Sequence, residues 1–84
     1  MKKMFSVFDK KIGSHGTPFT AVTNGEAMRI FGDAVTDPNV ILSKHPEDFS
    51  LYNVGSFDEI SGEFTSVKPL HIAEAVDFLN NKEC

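Results

Sequence analysis

Hydrophobic and polar positions alternate, then recur at helical spacing, then alternate again along this chain. Met4 to Phe8 is apolar, aromatic and β-branched between lysines and reads as a first strand. Period-two geometry sets Phe5 and Val7 on one face and Met4, Ser6 and Phe8 on the other. Residues 10–22 hold Gly13, Gly16 and Pro18 and read as a loop, with Phe19 dipping into the core. Thr23 to Asp37 carries Ala27, Ile30, Phe31, Ala34 and Val35 at i, i+3, i+4, i+7, i+8, which predicts a helix with one apolar stripe. Thr23 and Glu26 form a capping box at its start, and Pro38 ends it. Gly32 weakens such a helix by about 1 kcal/mol relative to Ala, so a close approach to the sheet is expected there.

Residues 38–48 read as a loop with Val40, Ile41 and Leu42 packing inward. Phe49 to Phe57 predicts a second strand and Glu63 to Val67 a third, joined by a turn at Glu59-Ile60-Ser61-Gly62. Gly55 interrupts the alternation and marks a bulge. Pro69 closes the third strand. Ile72, Ala75, Val76 and Leu79 repeat at i, i+3, i+4, i+7, predicting a helix from His71 to Asn81, with Asn80-Asn81 and the charged tail ending it. The expected fold is α+β: one β-α-β-β-α domain over residues 1–84, with a three-stranded, mainly antiparallel sheet and helices on one face.

Length makes this pattern marginal. A chain of 84 residues buries only about 60–65 % of its unfolded surface, and oligomerisation is a common remedy at this size. Apolar residues make up 40 % of the chain, eight of them Phe, which is enough for a core. No apolar run reaches the ~20 residues of a membrane span. Asp9, Lys10 and Lys11 interrupt the N-terminal apolar stretch too early for a signal sequence, so a cytoplasmic protein is expected. Cys84 is the single cysteine, which excludes an internal disulfide framework and a cysteine-based zinc site.

Charge is unevenly spread. Residues 1–22 balance at +3, with Lys2, Lys3, Lys10 and Lys11 against Asp9, whereas residues 23–84 balance at −7. A nucleic acid would therefore meet a local basic patch within an unfavourable overall field, and its binding would be modest and salt-sensitive. The aromatic residues carry the better lead. Single strands are held by stacking bases on rings beside basic groups, and Phe5, Phe8, Phe49, Tyr52, Phe57 and Phe64 all lie on predicted strands. With no Trp in the chain, four or more of these six are needed for the core. Phe8, on the face away from Phe5, and Tyr52, whose polar tip tolerates exposure, are the candidates for an open face. Lys2, Lys3, Lys10 and Lys11 bracket the first strand and could contact phosphates. Their plainer role is solubility and protection of a strand edge.

Catalytic signatures are missing. His15, His45 and His71 fall in two loops and at a helix start with no metal-ligand spacing, so no cofactor or metal is expected. The pairs Glu47-Asp48 and Asp58-Glu59 read as solvated turn charges rather than an acid–base pair tuned in a pocket. No phosphate-binding glycine loop and no nucleophile motif occurs. A hydrolase would need a pocket that unites a histidine with a carboxylate, and a non-enzymatic protein is the simpler expectation.

Several pieces in order carry a resemblance: Phe5 to Asp9, Pro18-Phe19, Glu26-Ala27, Phe31 with Asp33-Ala34-Val35, Asp37-Pro38, His45-Pro46-Glu47-Asp48 and the Gly55 to Gly62 hairpin. Together they resemble the small nonstructural protein of gokushovirus-type Microviridae, phages with circular single-stranded DNA genomes. The resemblance implies DNA binding in single-stranded genome synthesis or packaging in the host cytoplasm, by analogy with the C protein of isometric phages. It supplies no functional residues. A homodimer would double any basic patch. The alternative is an interaction module that uses the acidic surface to bind the phage initiator, the procapsid or a host replication factor.

Overall fold

The computed structural model describes residues 1–82, with side chains as far as Leu79. Cys84 lies outside the described residues. Three long strands form the sheet: β1 (Lys2–Asp9), β4 (Phe49–Phe57) and β5 (Phe64–Glu74). Two short strands, β2 (Ser14–His15) and β3 (Phe19–Ala21), pair with successive stretches of β1. The segment 10–22 is thus a loop with two strand pieces, and the sheet has five strands among the described residues. The order is β2-β1-β4-β5 and all pairings are antiparallel. The expected α+β class holds, and β5 is left as a free edge.

The first helix, α1 (Asn24–Thr36), matches its sequence signal. The Glu26 backbone N–H donates to Thr23 Oγ1 at 3.1 Å. The return bond to Glu26 Oε1 comes from the N–H of Val22, at 2.7 Å, one residue before the cap. Ala27, Phe31 and Val35 are buried, whereas Ile30 lies at the margin of the stripe and is exposed. Residues 38–48 carry two short turns of helix: α2 (Ile41–Lys44) and a 3₁₀ turn (Pro46–Asp48). Leu42 packs against the core, but Ile41 points out and is 60 % exposed.

The largest departure from the sequence reading is in the last third. β5 runs through Pro69 to Glu74, and α3 begins at Ala75 rather than His71, continuing to Lys82. Proline removes only a backbone donor, and an edge strand has a side on which that donor is not needed. Ile72 is skipped by the pairing register between Leu51–Ala73 and Tyr52–His71. A bulge of that kind lets a helix-like spacing occur within a strand.

Phe5, Leu51 and Ala73 on the sheet meet Ala27, Phe31 and Val35 of α1 and Ala75 of α3 in one core. Phe19 stacks on Phe5 with ring centroids 5.9 Å apart, so the Pro18-Phe19 anchor forms as expected. Gly32 makes a close approach, but to Phe78 of α3 and not to the sheet: a Cβ there would lie 2.7 Å from the ring. Gly55 sits at the expected bulge, where the β1–β4 register skips Val54. Gly62 closes the β4–β5 turn at a φ of 81°. Of the six strand aromatics only Phe5 and Phe49 are buried; Phe8, Tyr52 and Phe57 are half-buried, and Phe64 is exposed. The four-in-the-core expectation is therefore wrong. Small residues (Ala21, Ala27, Ala73 and Ala75) fill core positions and leave rings for elsewhere.

Candidate nucleic-acid interface

Residues directly opposite in antiparallel strands share a face. Val7, Leu51 and Ala73 line up on the face that the helices cover. The neighbouring rows, Ser6–Tyr52–His71 and His15–Phe8–Ser50–Glu74, fall on the other face. Strand pleating alone therefore gathers two rings expected there, Phe8 and Tyr52, and adds two histidines.

The four rings form a continuous row across β2, β1, β4 and β5. His15 lies 4.8 Å from Phe8 and 5.3 Å from Tyr52, centroid to centroid, and Tyr52 lies 5.4 Å from His71. Phe8 meets Tyr52 edge-on at 6.1 Å. Tilted and edge-to-face contacts of this kind are favourable and hold the rings in fixed orientations. Phe8 and Tyr52 are half-buried, while both histidines are exposed.

Polar bonds fix the row at both ends. His15 Nδ1 and the hydroxyl of buried Ser6 are hydrogen-bonded at 2.7 Å. At the other end Glu74 receives three donors. Lys10 Nζ donates to Oε1 at 2.7 Å, and Ser50 Oγ and His71 Nε2 donate to Oε2 at 2.8 and 2.6 Å. Burial alone would raise the Glu74 carboxyl, but the bonds from Lys10, Ser50 and His71 outweigh it and hold the group below its ordinary value of 4.5. Glu74 is therefore a bound carboxylate that anchors β5 to the turn after β1.

The lysines fall in two places. Lys2 and Lys3 lie at one end of β1, and Lys10 and Lys11 follow its other end, roughly 26 Å away at the ordinary rise of a strand. Lys2 sits opposite Phe57, which packs on Phe64 at 5.0 Å, so a second pair of rings accompanies that end. Lys10 is engaged with Glu74, and Lys2, Lys3 and Lys11 are exposed. Phosphate contacts could thus be made at either end of β1, where Lys2 and Lys11 carry the positive charge. Lys3, opposite buried Ala21, alternates onto the helix-covered face with Phe5.

Sequence reasoning placed His15 in a loop and His71 at a helix start; both are strand residues. Once β5 is extended past Pro69, His71 falls opposite Tyr52 by register alone, and this was the only signal that could have found it. Asp58 behaves as the sequence suggested. Its carboxylate accepts backbone N–H bonds from Ile60 and Ser61 in the hairpin turn, and these hold it below its usual range. His71 and Glu74 do unite a histidine with a carboxylate, and the nearby serines Ser6 and Ser50 are buried, 2 % and 0 % exposed. Among the described residues no cluster of three or more His, Cys, Asp or Glu could hold a metal ion. No helix among them is long and apolar enough to cross a membrane.

No curated protein and no solved structure matches the chain. One family model does, over residues 2–78, from the start of β1 into α3. That span includes every strand and every ring of the row, and the chain thus belongs to the Phage ORF5 protein family.

Proposed function

We propose that this phage protein binds single-stranded DNA on the open face of its sheet, without catalysis and without a cofactor. The observation that carries the reading is the row His15–Phe8–Tyr52–His71 on the sheet face opposite the helix-packed core. An open sheet face bearing rings is how several small domains take unpaired bases, each stacked base contributing about 1–3 kcal/mol. Lys2 and Lys11 would hold the backbone. The role this supports is in single-stranded genome synthesis or packaging in the host cytoplasm, as in the gokushovirus-type nonstructural proteins that the sequence resembles. The free edge of β5, with Phe64, Val67 and Leu70 exposed along it, supports a homodimer in which two edges pair and align both ring rows.

Fluorescence anisotropy with labelled single-stranded and duplex oligonucleotides, titrated from low to physiological salt, tests the reading. Single strands should bind preferentially and release as salt rises, and neutralising Lys2, Lys3, Lys10 and Lys11 should abolish binding. Failure to bind at ~50 mM salt, where electrostatic contacts are strong, would overturn it and leave a protein partner as the reading.

A further inference from the structure

Where β1 ends and β4 begins, the fold forms a recess whose chemistry differs from that of the ring row: a cavity of about 520 Å³ open to solvent. Its size falls in the ordinary range of ligand sites. The buried ring of Phe49 lies in its wall, and Ile12 and Ile41 stand beside it, 74 % and 60 % exposed. Asp9, Glu47 and Asp48 line the same space and are opposed there by Lys11 alone among fixed cations. The backbone explains the layout. Asp9 Oδ1 accepts the N–H groups of Lys11 and Ile12 at 2.9 and 3.3 Å, forming a turn that presents Ile12 outward. The Lys10 N–H donates to the Asp48 carbonyl at 2.8 Å, tying that turn to the 3₁₀ segment that carries Glu47 and Asp48. Ile41 belongs to the apolar trio that sequence alone would fold inward, yet the fold leaves it at the rim.

A nucleic acid is the wrong occupant for a recess with three carboxylates. We propose that this cavity docks an arginine-bearing, otherwise apolar segment of a protein partner. The guanidinium would lie between Glu47 and Asp48, where planar charge-assisted bonds to carboxylates are strongest. Its aliphatic stem and the neighbouring apolar residues would cover Ile12, Ile41 and the edge of Phe49. Both strongly exposed isoleucines then acquire a reason, as does the concentration of acid beside them. The recess shares only Lys11 with the proposed DNA contacts, and the inference does not require that the protein bind DNA.

The test uses the full chain, labelled with ¹⁵N, and a ten-residue synthetic peptide with one arginine flanked by leucines. Saturable amide shifts are expected at Ile12, Ile41, His45, Glu47 and Asp48. Replacing the peptide arginine by citrulline, a neutral near-isostere, should weaken binding roughly tenfold, as should Glu47→Lys in the protein. Ile41→Ser tests the apolar lip should Glu47→Lys disturb folding. The proposal is overturned by equal affinity for the citrulline peptide, by shifts centred on Tyr52 or on β5, or by no saturable shift at millimolar peptide.

Discussion

Tyr52 of β4 and His71 of β5 stand directly opposite each other, with ring planes 85° apart and centroids 5.4 Å apart. Tyr52 also touches Phe8 and His15, so it is the hub of the row. Tyr52→Ala should therefore remove the central stacking surface and lower single-strand affinity by about 1–3 kcal/mol, roughly a thirtyfold loss in the middle of that range. Anisotropy titrations beside Ile30→Ala, an exposed change on the opposite layer, check this. Equal losses for the two variants would sink the assignment of the face.

Glu74 makes stability depend on acid. Its pKa is lowered in the folded chain from an ordinary 4.5, so in that window the unfolded chain binds more protons and stability falls with falling pH. The contribution is complete above about pH 4.5 and is lost as pH drops through the lowered folded value. Urea midpoints measured from pH 6 to pH 3 should decline more steeply for the native chain than for Glu74→Gln. Lys10→Met, which removes one of the three donors, should give an intermediate slope.

Gly55 and Gly62 separate two reasons for glycine. Both have positive φ, 153° and 81°, but a Cβ at Gly55 would lie 2.2 Å from the Thr65 carbonyl oxygen, whereas Gly62 has open space around it. Gly62→Ala should cost about 1 kcal/mol from backbone strain alone. Gly55→Ala must also spread β4 from β5 and should cost about 3 kcal/mol or more. Thermal melts of the two variants make the comparison directly.

Local rules were legible in this sequence, and long-range ones much less so. Thr23, Glu26 and Pro38 bound a helix through contacts within four residues, and that helix forms where they say. Asp58 and Gly62 likewise specify their turn. Pro69 misled because its meaning depends on whether its strand is central or an edge, which no local pattern reveals. The Ile72–Leu79 spacing misled because a bulge at Ile72 imitates helical periodicity. The open face suffered from both errors: Phe8 and Tyr52 were visible from alternation, but His71 needed the correct end of β5, and its partner Glu74 bonds Lys10 from 64 residues away. Ser6 and His15 meet only because residues 10–22 fold back as β2.

The contact between Gly32 and Phe78 offers a sign reversal as its test. In an exposed helix Gly→Ala gains about 1 kcal/mol. Here the new Cβ would sit 2.7 and 3.0 Å from ring carbons of Phe78, which is itself held edge-on against Phe31 at 5.5 Å. A ring wedged in that way cannot turn aside freely, and overpacking typically costs about 1–3 kcal/mol. Gly32→Ala alone should therefore be neutral to destabilising. Phe78→Ala removes the obstruction along with its own packing, and in that background Gly32→Ala should become stabilising by about 1 kcal/mol. Urea denaturation of the four proteins in the cycle measures the coupling. If Gly32→Ala stabilises equally with and without the ring, close packing is not the reason for glycine at this position.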